Sequence, residues 1–233
     1  GSNDLTQHNS VGQTTGKVGN AALFDGISKY LSHASNATFQ MGDAHVTIGF
    51  WVKLTSLPAD VTAYSLVTKD VDSPANSRDF TIDYLRNDGT PAQGGFRFYV
   101  NGADGLVSSG TSGFNSTGVW YYVLVSHDPD LDQTSLQVNG GTIFTSATSG
   151  IAPAVSGAEF RIGARAYSGF ENYADAAMYQ VVILRARPLT TYERAYLYNH
   201  GAGRTYAELS AEESEPLIDF HLLPVRSVPN TEV

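Results

Sequence analysis

Between residues 46 and 54 apolar and polar positions alternate with a period of two. Val46, Ile48, Phe50, Val52 and Leu54 fall on one face, and Thr47, Gly49, Trp51 and Lys53 on the other. Successive side chains of a strand point to opposite faces, so this segment reads as a strand with its apolar face turned to a core. Short apolar runs at 21–24 and 30–31 flank Asp25-Gly26, which reads as a hairpin turn because glycine accepts positive φ. Residues 4–9 read as a short edge strand or a loop, and further strands are expected at 64–68, 80–85, 95–100, 106–109, 120–126, 135–138, 142–145, 160–163 and 178–184. Turn residues such as Asn87-Asp88-Gly89, Asn101-Gly102 and Asn139-Gly140 separate them. Thr190 and Glu193 form a Thr-x-x-Glu capping box, and Gly201 closes the segment, so 191–199 is expected as the one real helix. The pattern describes an all-β, two-sheet antiparallel sandwich with one short C-terminal helix.

Several of these segments also carry a resemblance. Gly16-Lys17-Val18-Gly19-Asn20-Ala21, leading into Phe24-Asp25-Gly26, resembles the opening of laminin-G-like, concanavalin A-like modules. The strand ending Trp51-Val52-Lys53 is similar to the second signature of that family. The Trp120 strand with its acidic turn and Asn139-Gly140, and Phe160-Arg161-Ile162-Gly163, match further parts. So does Pro188-Leu189-Thr190 with the helix ending Leu197-Tyr198-Asn199. The resemblance covers residues 16–203. It implies a jelly roll, a fold that carries lectins, adhesion modules, viral surface domains and some glycanases, so it names the fold more firmly than the function. The family commonly has Ile-Asp-Glu at the start of the last strand, where this chain has Met178, Tyr179 and Gln180. A metal therefore does not follow from the resemblance.

Residues 1–208 are expected as one domain. Residues 209–213 read as an acidic linker, and 217–222 as a strand between Pro216 and Pro224. An open sheet edge is satisfied by an added strand. This tail can fill such an edge in its own chain, or in a neighbouring molecule, which would make an oligomer. It can equally begin a next module.

Composition narrows the partners. With 14 Lys and Arg against 23 Asp and Glu, the net charge is −9, which repels nucleic acid and anionic lipid while leaving calcium and neutral sugars as partners. There are no cysteines, so disulfides and thiolate-held zinc are excluded. No apolar run is long enough to insert into a membrane, and the first residues do not read as a signal peptide.

Candidate chemistry falls in a few places. Asp128, Asp130 and Asp132 alternate in one turn and offer oxygens to calcium; the same residues also suit a solvated turn. Asp70, Asp72 and Asp79 are a less regular set. Asp25 can bind a cation or shape its own turn. In the loop 167–173, Tyr167, Phe170 and Tyr173 accompany Glu171 and Asn172, a mixture suited to a sugar's apolar face and hydroxyl rim. Aromatics that pack back onto the sheet give the same pattern. Trp51 lies on the face opposite the intersheet layer and either meets ligand or lies beneath a covering segment; Trp120 reads as core. The six histidines are scattered, with no close pair in sequence.

The sequence shows no Gly-x-Ser-x-Gly elbow and no Glu-x-Asp-x-x-Glu run. It is therefore not expected to be an enzyme. Two readings stay open. One is a carbohydrate-binding or adhesion module of an extracellular or surface protein, with a glycan partner. The other is a structural or display module of a virion or surface appendage, contacting neighbouring protein modules.

Overall fold

The computed structural model describes residues 4–59, 62–70, 79–86, 94–101, 104–109, 113–166, 172–185, 187–211 and 219–223. Its strands are β1 (Thr6–His8), β2 (Gly12–Thr15), β3 (Asn20–Leu23), β4 (Tyr30–His33), β5 (Val46–Leu54), β6 (Ala63–Lys69), β7 (Phe80–Arg86) and β8 (Gly94–Val100). They continue as β9 (Asp104–Ser108), β10 (Trp120–Asp128), β11 (Gln133–Val138), β12 (Ile143–Ala147), β13 (Phe160–Ile162), β14 (Ala176–Arg185) and β15 (Asp219–Leu223). One sheet runs β1-β4-β13-β6-β7-β8-β9 and the other β12-β11-β10-β5-β14-β3-β2, with β15 on β14. The two antiparallel sheets form the expected jelly-roll sandwich.

The core lies where the alternation puts it. Val46, Ile48, Phe50, Val52 and Leu54 of β5 pack with Phe80, Ile82, Tyr84, Phe96, Phe98 and Val100 between the sheets. The outer face of β5 is buried too. Trp51, Tyr122, Leu124, Val182 and Leu184 form a second apolar cluster with Leu189, Leu197 and Leu209. The last two come from helices α1 (Thr191–Tyr198) and α2 (Tyr206–Ala211).

The Asp25-Gly26 turn is not a hairpin. β3 pairs with β2 and β14, whereas β4 pairs with β1 and β13 in the other sheet. The turn carries the chain from one layer to the next, a distinction invisible to alternation, which marks a strand but not its sheet.

Helix α1 has both halves of its capping box and ends at Asn199, in the left-handed conformation at φ 48°. A second helix follows, opened by the same signature: Thr205 N–H and Oγ1 donate to Glu208, whose N–H donates back to Thr205 Oγ1. The boundary expected at 208/209 thus falls inside α2, and Leu209, expected in a linker, is 1% exposed.

β14 pairs with β5 along one edge and divides its other edge between two strands. β3 takes Ala177 and Met178 and β15 takes Val181–Arg185, while on the β5 side the register shifts between Tyr179 and Val182. The tail's strand therefore pairs within its own chain.

Candidate functional site

β5 fixes the two ends of the molecule. Leu54 pairs with Ala176 at one end, and Val46 pairs with His127 and Arg185 at the other. With a rise of about 3.3 Å per residue, these ends are roughly 26 Å apart.

At the Leu54 end, Asp25 builds the crossover turn. Its Oδ1 accepts from the backbone N–H groups of Ile27, Ser28 and Lys29 at 2.9–3.0 Å. Burial pushes its pKa up, but these three donors and the Lys29 charge outweigh that and hold it at about 2. The carboxylate is thus committed to shaping the turn, the Asx role among its two sequence readings. Gly26, at φ 71°, lets the turn close on residues 172–175; a Cβ there would lie 2.9 Å from Asp175 Cβ.

Residues 172–175 are stitched to both layers. Ser65 N–H donates to the Asn172 carbonyl, Ala174 N–H to Gly163, Gly26 N–H to Ala174 and Thr55 N–H to Asp175, at 2.8–3.0 Å. This scaffold places Asn172 and Tyr173, both half-buried, beside the outer face of the first sheet. The Tyr173 ring lies 6.2 Å from Tyr30. Tyr30 in turn stacks on His8 at 4.1 Å, and the Arg161 guanidinium lies 4.6 Å from its ring centre. Arg161 also pairs with Glu159 at 3.1 Å. The result is a half-buried rim of aromatic rings with amide, guanidinium and carboxylate groups around it. Tyr167, Phe170 and Glu171 lie outside the described residues.

Toward the middle of the same face lie two buried ion pairs. Arg97 donates through Nε and Nη2 to the two oxygens of Asp83, at 2.8 and 2.6 Å. Arg165 donates through Nε to Asp70, which also accepts from Thr81 Oγ1 at 3.4 Å. Burial pushes the Asp83 carboxyl up against the pull of Arg97. Asp79 is on a different pair: it meets Lys69 at 3.0 Å with both side chains fully buried. Asp70 and Asp79 therefore do not form one ligand set, and Asp72 lies outside the described residues.

At the Val46 end, the acidic turn meets a histidine. His45 Nε2 lies 3.1 Å from Asp130 Oδ2, and Nδ1 lies 3.5 Å from Asp128 Oδ1. His45, Asp128 and Asp130 together form a group that could hold a metal ion. Asp132 is not in it. At φ 46° it serves the turn, its carbonyl accepting from Thr148 N–H at 2.7 Å. His45 was missed because it is 83 residues from Asp128 (128 − 45). The signal that finds it is register: Val46 faces His127, so one step further His45 faces Asp128.

Trp51 is 1% exposed in the second apolar cluster. Its ring lies 5.1 Å from Tyr122 and 5.9 Å from Tyr198, with Lys17 Nζ 5.1 Å from its centre. Of its two sequence readings, burial beneath a covering segment is the one observed, and no ring face is left for a ligand. Trp120, expected in the core, is half-buried at its margin with Lys53 Nζ 5.0 Å from its ring.

The two sheets and the crossover between them define a jelly-roll β-sandwich. Residues 25–193 match Laminin_G_3, described as the concanavalin A-like lectin/glucanases superfamily, and the chain belongs to that family. No curated protein matches the sequence. Among solved structures it is similar to the binding domain of Paraclostridial Mosquitocidal Protein 1, with 16% identity, a TM-score of 0.64, and coverage of 84% of this chain and 47% of that one. The binding domain of Botulinum Neurotoxin DC, solved in complex with SialylT, aligns at 13% identity and TM-score 0.59, covering 88% and 47%. Trypanosoma rangeli sialidase aligns at 16% identity and TM-score 0.57, covering 84% and 30%. This chain spans less than half of each of these, and the likeness is one of fold. No described helix is long and apolar enough to cross a membrane.

Proposed function

We propose that the chain is a non-catalytic carbohydrate-binding module of an extracellular or surface protein, and that it takes a glycan on the rim of Tyr30, Arg161, Asn172 and Tyr173. The observation that carries this reading is the half-buried aromatic pair, Tyr173 beside Tyr30, with amide and guanidinium donors around it. A sugar ring has apolar C–H faces that pack on aromatics and hydroxyls that need such donors. The binding-domain neighbours, one of them in complex with SialylT, support a module that binds rather than reacts.

The acids on the same face argue against glycan cleavage. A glycosidase needs one carboxyl that exchanges a proton and a second that attacks or activates water. Asp83 and Asp70 are each engaged by an arginine, so neither is free for either task.

The test is a glycan array followed by titration of the best ligand. Tyr173→Ala and Asn172→Gly, the latter chosen because Asn172 has φ 45°, should each weaken binding at least tenfold while unfolding normally. Unchanged affinity in both would remove the rim as the site. A defined oligomer with no response to any glycan would favour the display reading instead.

A further inference from the structure

The His45 group lies at the opposite end of β5 from the glycan rim, so nothing in the proposed binding reaction uses it. It is built from two separate segments, the entry to β5 and the turn between β10 and β11. We propose that it is a binding site for a divalent transition-metal ion of the zinc class, ligated by His45 Nδ1 and the Asp128 carboxylate, with Asp130 holding the imidazole from its other nitrogen.

Three observations converge. First, His45 Nδ1 is buried and has no hydrogen-bond partner. A buried polar atom left unpaired is costly and calls for a missing partner. Second, that nitrogen faces Asp128 Oδ1 at 3.5 Å. Zinc bonds of about 2.1 Å at tetrahedral angles hold neighbouring ligands about 3.4 Å apart, so the two atoms already stand at the separation that a shared ion requires. Third, Nε2 lies 3.1 Å from Asp130 Oδ2. Donation of Nε2–H to that carboxylate selects the tautomer whose Nδ1 lone pair is free, the arrangement in which a second carboxylate orients a metal-bound histidine.

The Asp128 carboxylate is oriented before any ion arrives, because its Oδ1 accepts from the N–H groups of Asp130 and Leu131 at 3.1 and 3.2 Å. The only ion pair of either Asp128 or Asp130 among the described residues is with His45, so no lysine or arginine competes. Asp130 is 82% exposed, which leaves the group open to solvent on that side, and water completes the coordination. The imidazole decides the kind of ion: calcium takes six to eight oxygens, whereas zinc accepts a mixed nitrogen and oxygen set. The ion would fasten the entry of β5 to the β10–β11 turn, a clasp at the end of the sandwich remote from the sugar.

The experiment uses the full chain stripped of metal with a chelator. Zinc chloride and calcium chloride are titrated separately by calorimetry, and thermal midpoints are recorded with each. Zinc should bind and raise the midpoint, and calcium should do neither at the same concentration. His45→Gln and Asp128→Asn should abolish the zinc effect. Asp130→Asn, at an exposed position that leaves the fold intact, should weaken zinc about ten- to a hundredfold. The proposal is overturned if zinc neither binds nor stabilises, if its effect survives in His45→Gln, or if calcium binds in preference.

Discussion

Asp25 offers the sharpest test of how the crossover turn is held. Its carboxylate accepts three backbone N–H groups that would otherwise face solvent. Asp25→Ala removes the acceptor and should cost about 2 kcal/mol at pH 7, the upper range for a lost capping side chain. Asp25→Asn keeps an acceptor oxygen and removes only the charge. The folded pKa is about 2 against 3.8 for the free group. A shift of that size corresponds to roughly 2.4 kcal/mol at most, and solvent screening of this part-exposed group reduces the expectation to about 1 kcal/mol. The sign follows from the depressed pKa. The stabilisation is fully present above about pH 4 and is lost as pH falls toward 2. Urea unfolding followed by tryptophan fluorescence should show the Asn variant about 1 kcal/mol less stable at pH 7 and level with the parent near pH 2. A deficit that stays constant from pH 7 to pH 2 would refute the charge argument, and an Ala variant as stable as the parent would refute the role of the turn.

Gly163→Ala should destabilise by about 3–5 kcal/mol, because φ is 86° and a Cβ would lie 2.6 Å from the buried Phe24 ring; chemical denaturation reads the loss. Trp51→Ala should cost about 3–5 kcal/mol by emptying the layer beneath α1. Trp51→Phe should stay folded with glycan affinity unchanged, as titration of the rim's ligand would show.

The sequence by itself determined the strands and the intersheet core. The alternating residues of β5 could satisfy their burial only on one face, and the period of two declares which residues share it. The capping box of α1 and the turn-shaping role of Asp25 were equally legible, because each is a local exchange between a side chain and nearby backbone. The Thr205 and Glu208 box of α2 carries the same local signal. The tertiary structure decided the rest. Whether Asp25-Gly26 returns a strand to its neighbour or sends it to the other sheet depends on β14 and β13, more than a hundred residues away. Whether Trp51 meets solvent depends on α1 and α2, which cover a face that alternation marks only as the other one. The His45, Asp128 and Asp130 group exists because β5 and β10 pair in one register; a shift by one residue would turn those side chains to opposite faces. Local chemistry sets each element, and the pairing of distant strands sets what the elements bring together.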